Sequence, residues 1–168
     1  MALGKYRHML STVKSALRII TAFLTTFSVG FLGLFFVDSD AANWYDSLAK
    51  PDFALPTTAF PIVWTVLYTL LAIALAIVWK KSPQTELTSG WVRFYFVQLL
   101  FNGAWMLFFF GLHAILVAFL DILFLGFIVM ALMIAASEID RRALYLLLPT
   151  LLWILFAAYL NVSIWLMN

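Results

Sequence analysis

Five apolar stretches, each long enough to cross a bilayer, take up about two thirds of this 168-residue chain; they cover residues 17–37, 60–79, 91–112, 115–137 and 143–167. Crossing ~30 Å of hydrocarbon takes roughly 20 residues of helix. A backbone out of reach of water must satisfy its own hydrogen bonds, which a helix does within one segment. The expected fold is an all-α membrane protein: one domain over residues 1–168, with a basic tail at 1–16 and a five-transmembrane-helix bundle. An ordered lid loop should join helices 1 and 2. Five helices with mostly short connections leave no room for a soluble catalytic domain, so the function must reside inside the bundle.

Charge supports the same architecture. Only 11% of residues are charged, against about 25% in soluble domains. Lys5, Arg7, Lys14, Arg18, Lys80, Lys81, Arg93, Arg141 and Arg142 fall on one side of the alternating spans, and Lys50 falls alone on the other. The positive-inside rule then puts the N-terminus in the cytoplasm and the C-terminus on the opposite side. A sequence pI near 9.0 raises the question of nucleic acid, but the basic residues flank spans instead of forming a stripe that could track phosphates. No nucleic-acid partner is expected. The Ser39-Asp40-Ala41 segment loosely resembles a signal-cleavage site, yet the apolar run before it is longer than a typical h-region.

The chemistry that is missing narrows function further. Without cysteine there is no thiolate nucleophile, iron–sulfur ligand or thiolate zinc site. His8 lies in the tail and His113 in a turn, so no metal site and no Ser-His-Asp arrangement is expected within the spans.

The connection over residues 38–59 is the long one. It carries Trp44, Tyr45, Phe53 and three prolines if Pro61 at the next helix start is included, which suggests an ordered lid. In the third span Gln98, Asn102 and Trp105 share one helical face, while Leu100, Ala104, Leu107 and Gly111 occupy the opposite one. The polar face either looks into a cavity or hydrogen-bonds neighbouring helices, and both readings stay open. The smooth face meets either another helix of the same subunit or another subunit, the latter as a homodimer seam at Ala104 and Gly111. Phe60, Trp64 and Tyr68 form an aromatic stripe on the second span, and Trp153 with Ala157 pairs a ring wall with a gap on the fifth. Such stripes also serve plain bundle packing. Trp79, Trp91 and Trp165 at span ends read as interfacial belt residues. Asp121 is an intramembrane carboxylate: either a proton site or a group hydrogen-bonded to a neighbouring Trp, Asn or hydroxyl. Thr21, Thr25 and Ser28 share a face of the first span, where hydroxyls readily bond to their own helix.

Taken together, these residues give the chain a resemblance to the translocator protein family, also called tryptophan-rich sensory proteins, TspO/MBR or peripheral-type benzodiazepine receptors. The resemblance covers nearly the whole chain. It rests on Trp44-Tyr45 with Leu48, Lys50, Pro51 and Pro56, then Val63-Trp64-Thr65-Val66-Leu67-Tyr68. It continues through Gln98-Leu99, Asn102, Trp105, Phe109 to His113 and Asp121-Ile122-Leu123, and ends with Leu148-Pro149, Trp153, Phe156-Ala157, Tyr159-Leu160-Asn161, Ile164-Trp165 and Asn168.

The resemblance implies a ligand pocket under the lid, lined by Tyr45, Phe53, Trp64, Gln98, Asn102, Trp105, Trp153 and Ala157. It also implies porphyrin as ligand with no obligatory cofactor, binding of sterols and of isoquinoline or benzodiazepine drugs in many members, and a dimer. Phe53 stands where the family often has Trp, which weakens the light-dependent porphyrin degradation proposed for some members. No basic residue follows Tyr159, so the forward sterol-associated pattern is missing; Arg142, Tyr145 and Leu147 fit only its reversed form. Three functions follow: a tetrapyrrole receptor or sensor, a porphyrin photo-oxidising enzyme that would depend on Trp153, and a proton-coupled transporter using Asp121.

Overall fold

The computed structural model describes residues 2–37, 40–81 and 85–168, with the side chains of residues 2–8, 10 and 11 left aside. Six helices follow in order: α1 (Ala2–Gly33), α2 (Ala41–Ser47), α3 (Ala59–Lys81), α4 (Glu86–Met106), α5 (Ile115–Ile139) and α6 (Arg141–Met167). A short 3-10 turn, Leu34–Phe36, ends α1, and a wide π turn, Leu107–Gly111, ends α4. Five of the helices are long and apolar enough to cross a membrane, over Thr12–Phe36, Ala59–Lys81, Glu86–Gly111, Ile115–Ile139 and Arg141–Met167. They match the expected spans. From Ala2 onward the backbone of the basic N-terminal segment is helix, continuous with the first span.

Local sequence sets the helix ends. Thr85 caps α4 in a reciprocal capping box with Thr88, satisfying two orphan backbone donors. Asp140 caps α6, its carboxylate accepting from Arg142 N at 3.0 Å, while its backbone N–H still bonds Ala136 O at 2.9 Å. One residue therefore closes α5 and opens α6, which keeps these two helices antiparallel neighbours. Lys81 of α3 reaches the same carboxylate at 3.4 Å. The Arg142 guanidinium beside Asp140, with Lys81 close by, holds this carboxyl well below the usual carboxylate range.

Because α4 begins at Glu86, Trp91 lies more than a turn inside it. Expected at the interface, Trp91 is instead buried, and its Nε1–H donates to Leu132 O of α5 at 2.9 Å. Trp165 does lie on the outside of its helix end.

Basic residues of three helices meet at one end of the bundle: Arg18 of α1, Lys80 and Lys81 of α3, and Arg142 of α6. The lid, the His113 turn and the C-terminus meet at the other. Trp44 stacks on His113 at 3.9 Å, and Asn168 exchanges hydrogen bonds of 3.1 and 3.0 Å with the backbone of Ala49.

Candidate functional site

The first connection folds into a roof because α2 is amphipathic over its seven residues. Ala41 and Tyr45, four apart, face inward and are buried. Tyr45 donates to Leu55 O at 3.1 Å, and the Lys50 ammonium caps the end of α2 by donating to Tyr45 O and Leu48 O. Thr57 bonds Asp46 at 3.2 Å. Burial pushes the Tyr45 hydroxyl up from its ordinary value, and the Asp46 charge adds to that.

Beneath the roof lies one connected set of aromatic rings. Tyr45 meets Phe60 at 5.6 Å, Phe60 meets Trp153 at 6.2 Å, and Trp64 meets both Trp105 at 6.1 Å and Trp153 at 6.4 Å. The structure thus brings Tyr45, Trp64, Trp105 and Trp153 together from α2, α3, α4 and α6. Beside them a cavity of about 530 Å³ opens between α1, α3 and α4. Trp64, Trp105, Tyr68, Phe60 and Phe110 form its inner wall, and Phe27, Gly30 and Phe31 of α1 with Leu34 of the 3-10 turn form the outer one.

Other expected site residues sit elsewhere. Trp153 touches the inner wall from behind, and Ala157 is buried in the packed core; neither lines this cavity. Phe53 stacks on Tyr159 at 5.0 Å and meets Phe156 edge-on, on the flank of α6. Gln98 and Asn102 are fully buried, but among the described residues they face neither the cavity nor a hydrogen-bond partner on another helix. Asn102 Nδ2 donates to Gln98 O and Oε1 at 3.0 and 2.6 Å within α4 itself. Asp121 is buried, and its Oδ2 has no hydrogen-bond partner among the described residues, so the expected bond to a Trp, Asn or hydroxyl is not formed.

Several inward polar atoms share that condition: Tyr68 Oη and Trp105 Nε1 on the cavity wall, Trp153 Nε1 behind it, and Gln98 Nε2 and Asn102 Oδ1 deeper. A buried polar group left unpaired costs about 1–3 kcal/mol, and these atoms carry that cost on the cavity wall and behind it. Among the described residues no three His, Asp or Glu side chains gather as a metal site requires.

The sequence reading missed the α1 wall. Gly30 and Gly33, one turn apart, were its available signal. A Cβ on Gly30 would come within 2.4 Å of the Tyr68 ring, and one on Gly33 within 2.4 Å of Met106 Sδ. Small residues let helices approach closely in lipid.

The π turn corrects the expected smooth face of the third span. Leu112 N bonds Leu107 O at 2.8 Å, a five-residue step, which inserts extra arc relative to an α-helix. Two successive rings, Phe109 and Phe110, are thereby both buried: Phe109 stacks on Trp105 at 5.2 Å and Phe110 lines the cavity. Gly111 consequently leaves the face of Ala104. It packs on this chain's own 3-10 turn, where a Cβ would lie 2.4 Å from Phe36 O. Bulk at Gly111 would displace backbone of the same subunit, so the position cannot serve as a dimer contact that tolerates a large side chain.

Fold and site together define a class, a five-helix integral membrane protein whose aromatic cavity is roofed by its first connection. The chain belongs to the TspO/MBR family, whose model matches residues 22–166. It is similar to the tryptophan-rich protein TspO of Chlorobaculum tepidum, 37% identical over 145 residues that cover 84% of this chain and 89% of the relative. It is 33% identical to the translocator protein of Ovis aries, with 81% of each chain covered. The tryptophan-rich sensory protein of Cereibacter sphaeroides is 34% identical over 71% of this chain and 73% of its own.

Proposed function

We propose that the protein is a membrane receptor or sensor that binds porphyrin-type tetrapyrroles and takes part in their transport or in stress regulation. The observation that carries this reading is the 530 Å³ cavity walled by Trp64, Tyr68, Trp105 and Phe110. That volume falls within the roughly 300–1,000 Å³ of small-molecule pockets, which are mostly apolar with a few polar anchors. Tyr68 Oη and Trp105 Nε1, unpaired and buried on two wall residues, become anchors once a guest shifts those rings. Family membership and the relatives' names, translocator and sensory protein, support a transport or sensing role. Sterols and flat drug-like molecules share the required shape.

Binding rests on ring stacking without an obligatory cofactor, so metal-free protoporphyrin should bind at least as well as haem. Fluorescence-quenching titration in detergent tests this. A Gly30→Ala change places a Cβ 2.4 Å from the Tyr68 ring, so this cavity wall must shift, and should weaken protoporphyrin binding about tenfold in a folded protein; unchanged affinity would remove the cavity from the reading.

Two further proposals concern assembly and orientation. The protein forms a homodimer through the α4 face that keeps Leu100 and Ala104 outward; Leu100 is 69% exposed. Since the chain has no cysteine, Leu100→Cys provides a unique thiol, and failure of oxidant to crosslink it in membranes would move the seam elsewhere. The N-terminus is cytoplasmic and the C-terminus opposite, a reading supported by the bias of basic residues to one side of the spans.

A further inference from the structure

A second cavity, of about 470 Å³, lies at the end of the α1–α3 groove remote from the lid. Its composition is divided. Arg18, Lys80, Lys81 and Arg142 supply one part, and Ile19, Phe23, Ile73, Ala76 and Ile77 the other. Arg18 donates one N–H to Trp79 O at 3.0 Å, at the C-terminal turn of α3. Its guanidinium has five such donors in all. Lys81 and Arg142 both contact the single carboxylate of Asp140, at 3.4 and 2.9 Å, while Lys80 makes no ion pair among the described residues. Four cations against one contacting carboxylate leave the cavity mouth positive.

The apolar part runs into the spans. Phe23, on the cavity wall, stacks on Phe27 of the aromatic cavity at 6.2 Å, so apolar side chains of α1 run from one cavity to the other. A site that is cationic at the span ends and apolar along the spans matches an amphiphile with an anionic head. A soluble anion would use only the upper half, whereas a zwitterionic lipid brings its own cation to the same place. Basic pockets between transmembrane helices hold acidic lipid head groups for this reason.

We propose that this cavity binds one anionic phospholipid of the adjoining leaflet, its phosphate held by Arg18 and Lys80 and an acyl chain lying against Ile19, Phe23 and Ile77. The site is independent of the ligand reading for the aromatic cavity, since it shares no lining residue with it. The lipid fills the cavity between α1 and α3 beside the Arg18 bond to Trp79 O that already joins the two helices.

Native mass spectrometry of the full chain, released from nanodiscs of phosphatidylcholine doped with phosphatidylglycerol, tests the proposal. One phosphatidylglycerol should be retained per subunit, at least tenfold more tightly than phosphatidylcholine. Lys80→Gln should weaken retention about fivefold, as one cation near an anionic surface is worth about 1 kcal/mol. Ile77→Asp, placing a charge where the chain would lie, should abolish it. Should that variant fail to fold, dihexanoyl phosphatidylglycerol replaces it as the probe and must bind more weakly than the long-chain lipid. Equal retention of the two lipids, no effect of Lys80→Gln, or displacement by inorganic phosphate alone would overturn the proposal; the last would leave a plain anion site.

Discussion

The two sides of the bundle flanking α3 pack differently. On one side α5 and α6 are close-packed: Leu125, Leu132, Leu147, Ile154 and Ile164 are all at most 1% exposed. Gly126 brings the two helices close enough that a Cβ there would touch Ile154 at 3.3 Å. On the other side α1 buries 17% of its most apolar window, against 39% for each of the other four spans. Both cavities lie between α1 and α3. In water an open apolar seam would close to hide its surface, but lipid supplies no such drive, and helices associate only where their surfaces fit. A membrane bundle can therefore keep guest-sized volume on one side, provided the other side holds the fold.

The largest effect that can break this comparison is a large-to-small change on the close-packed side. Leu132→Ala should cost about 2–5 kcal/mol by analogy with soluble cores. The lower part of that range is the expectation, because an unfolded segment in a micelle keeps its side chain in an apolar medium and only packing is lost. Leu24→Ala on α1, where Leu24 is 68% exposed, should stay within about 0.5 kcal/mol. Unfolding curves in mixed micelles compare the two. Equal losses would mean that α1 contributes as much to the fold as α5 and α6.

A smaller effect concerns how the close-packed side is fastened. Asp140→Ala removes the cap of α6 together with its contacts to Arg142 and Lys81, and should cost about 1 kcal/mol at neutral pH. Its pH dependence has a definite sign. Arg142 holds the carboxyl below its ordinary value, so folding favours the ionised form. That contribution is complete above the unfolded value of about 3.9 and fades as pH falls below it toward the folded value. The stability gap between wild type and Asp140→Ala should be flat from neutrality to about pH 5 and narrow below pH 4. A gap that stays constant into acid would assign the corner to packing alone.

What could be read in advance divides along the same line. Span number and order follow from run length, a one-dimensional property, and the inward facing of Gln98, Asn102, Trp105 and Trp64 follows from helical period. Trp91 was misplaced because a five-residue shift in helix start turns an end residue into an interior one. Gly111 was misplaced because a π turn depends on which carbonyl is free in three dimensions, and the apolar run Leu107 to Phe110 carries no mark of it. The α1 wall escaped because openness reflects where neighbouring helices diverge, which the pattern within one helix does not record.

The smallest effect tests how α1 is held at all. Thr21, Thr25 and Ser28 mark an obvious hydroxyl face, yet Thr25 and Ser28 bond only to carbonyls of their own helix. Thr26, one residue away, is the one that crosses. It is fully buried, donates to Ala22 O at 2.6 Å and lies 2.7 Å from the Tyr95 hydroxyl of α4. With its own proton given to Ala22, Thr26 accepts from Tyr95, so this bond satisfies a phenol that is likewise fully buried. Interhelical hydrogen bonds in membranes average about 0.6 kcal/mol and reach about 1.7. Thr26→Val keeps the side-chain shape, removes the acceptor and should cost about that average. Tyr95→Phe should cost a similar amount, and because each change removes the same bond, the double variant should be no less stable than the weaker single one. Strictly additive losses would show that Thr26 and Tyr95 stabilise α1 through separate contacts, leaving the Arg18 bond to Trp79 O as a polar clip on the loosely packed side.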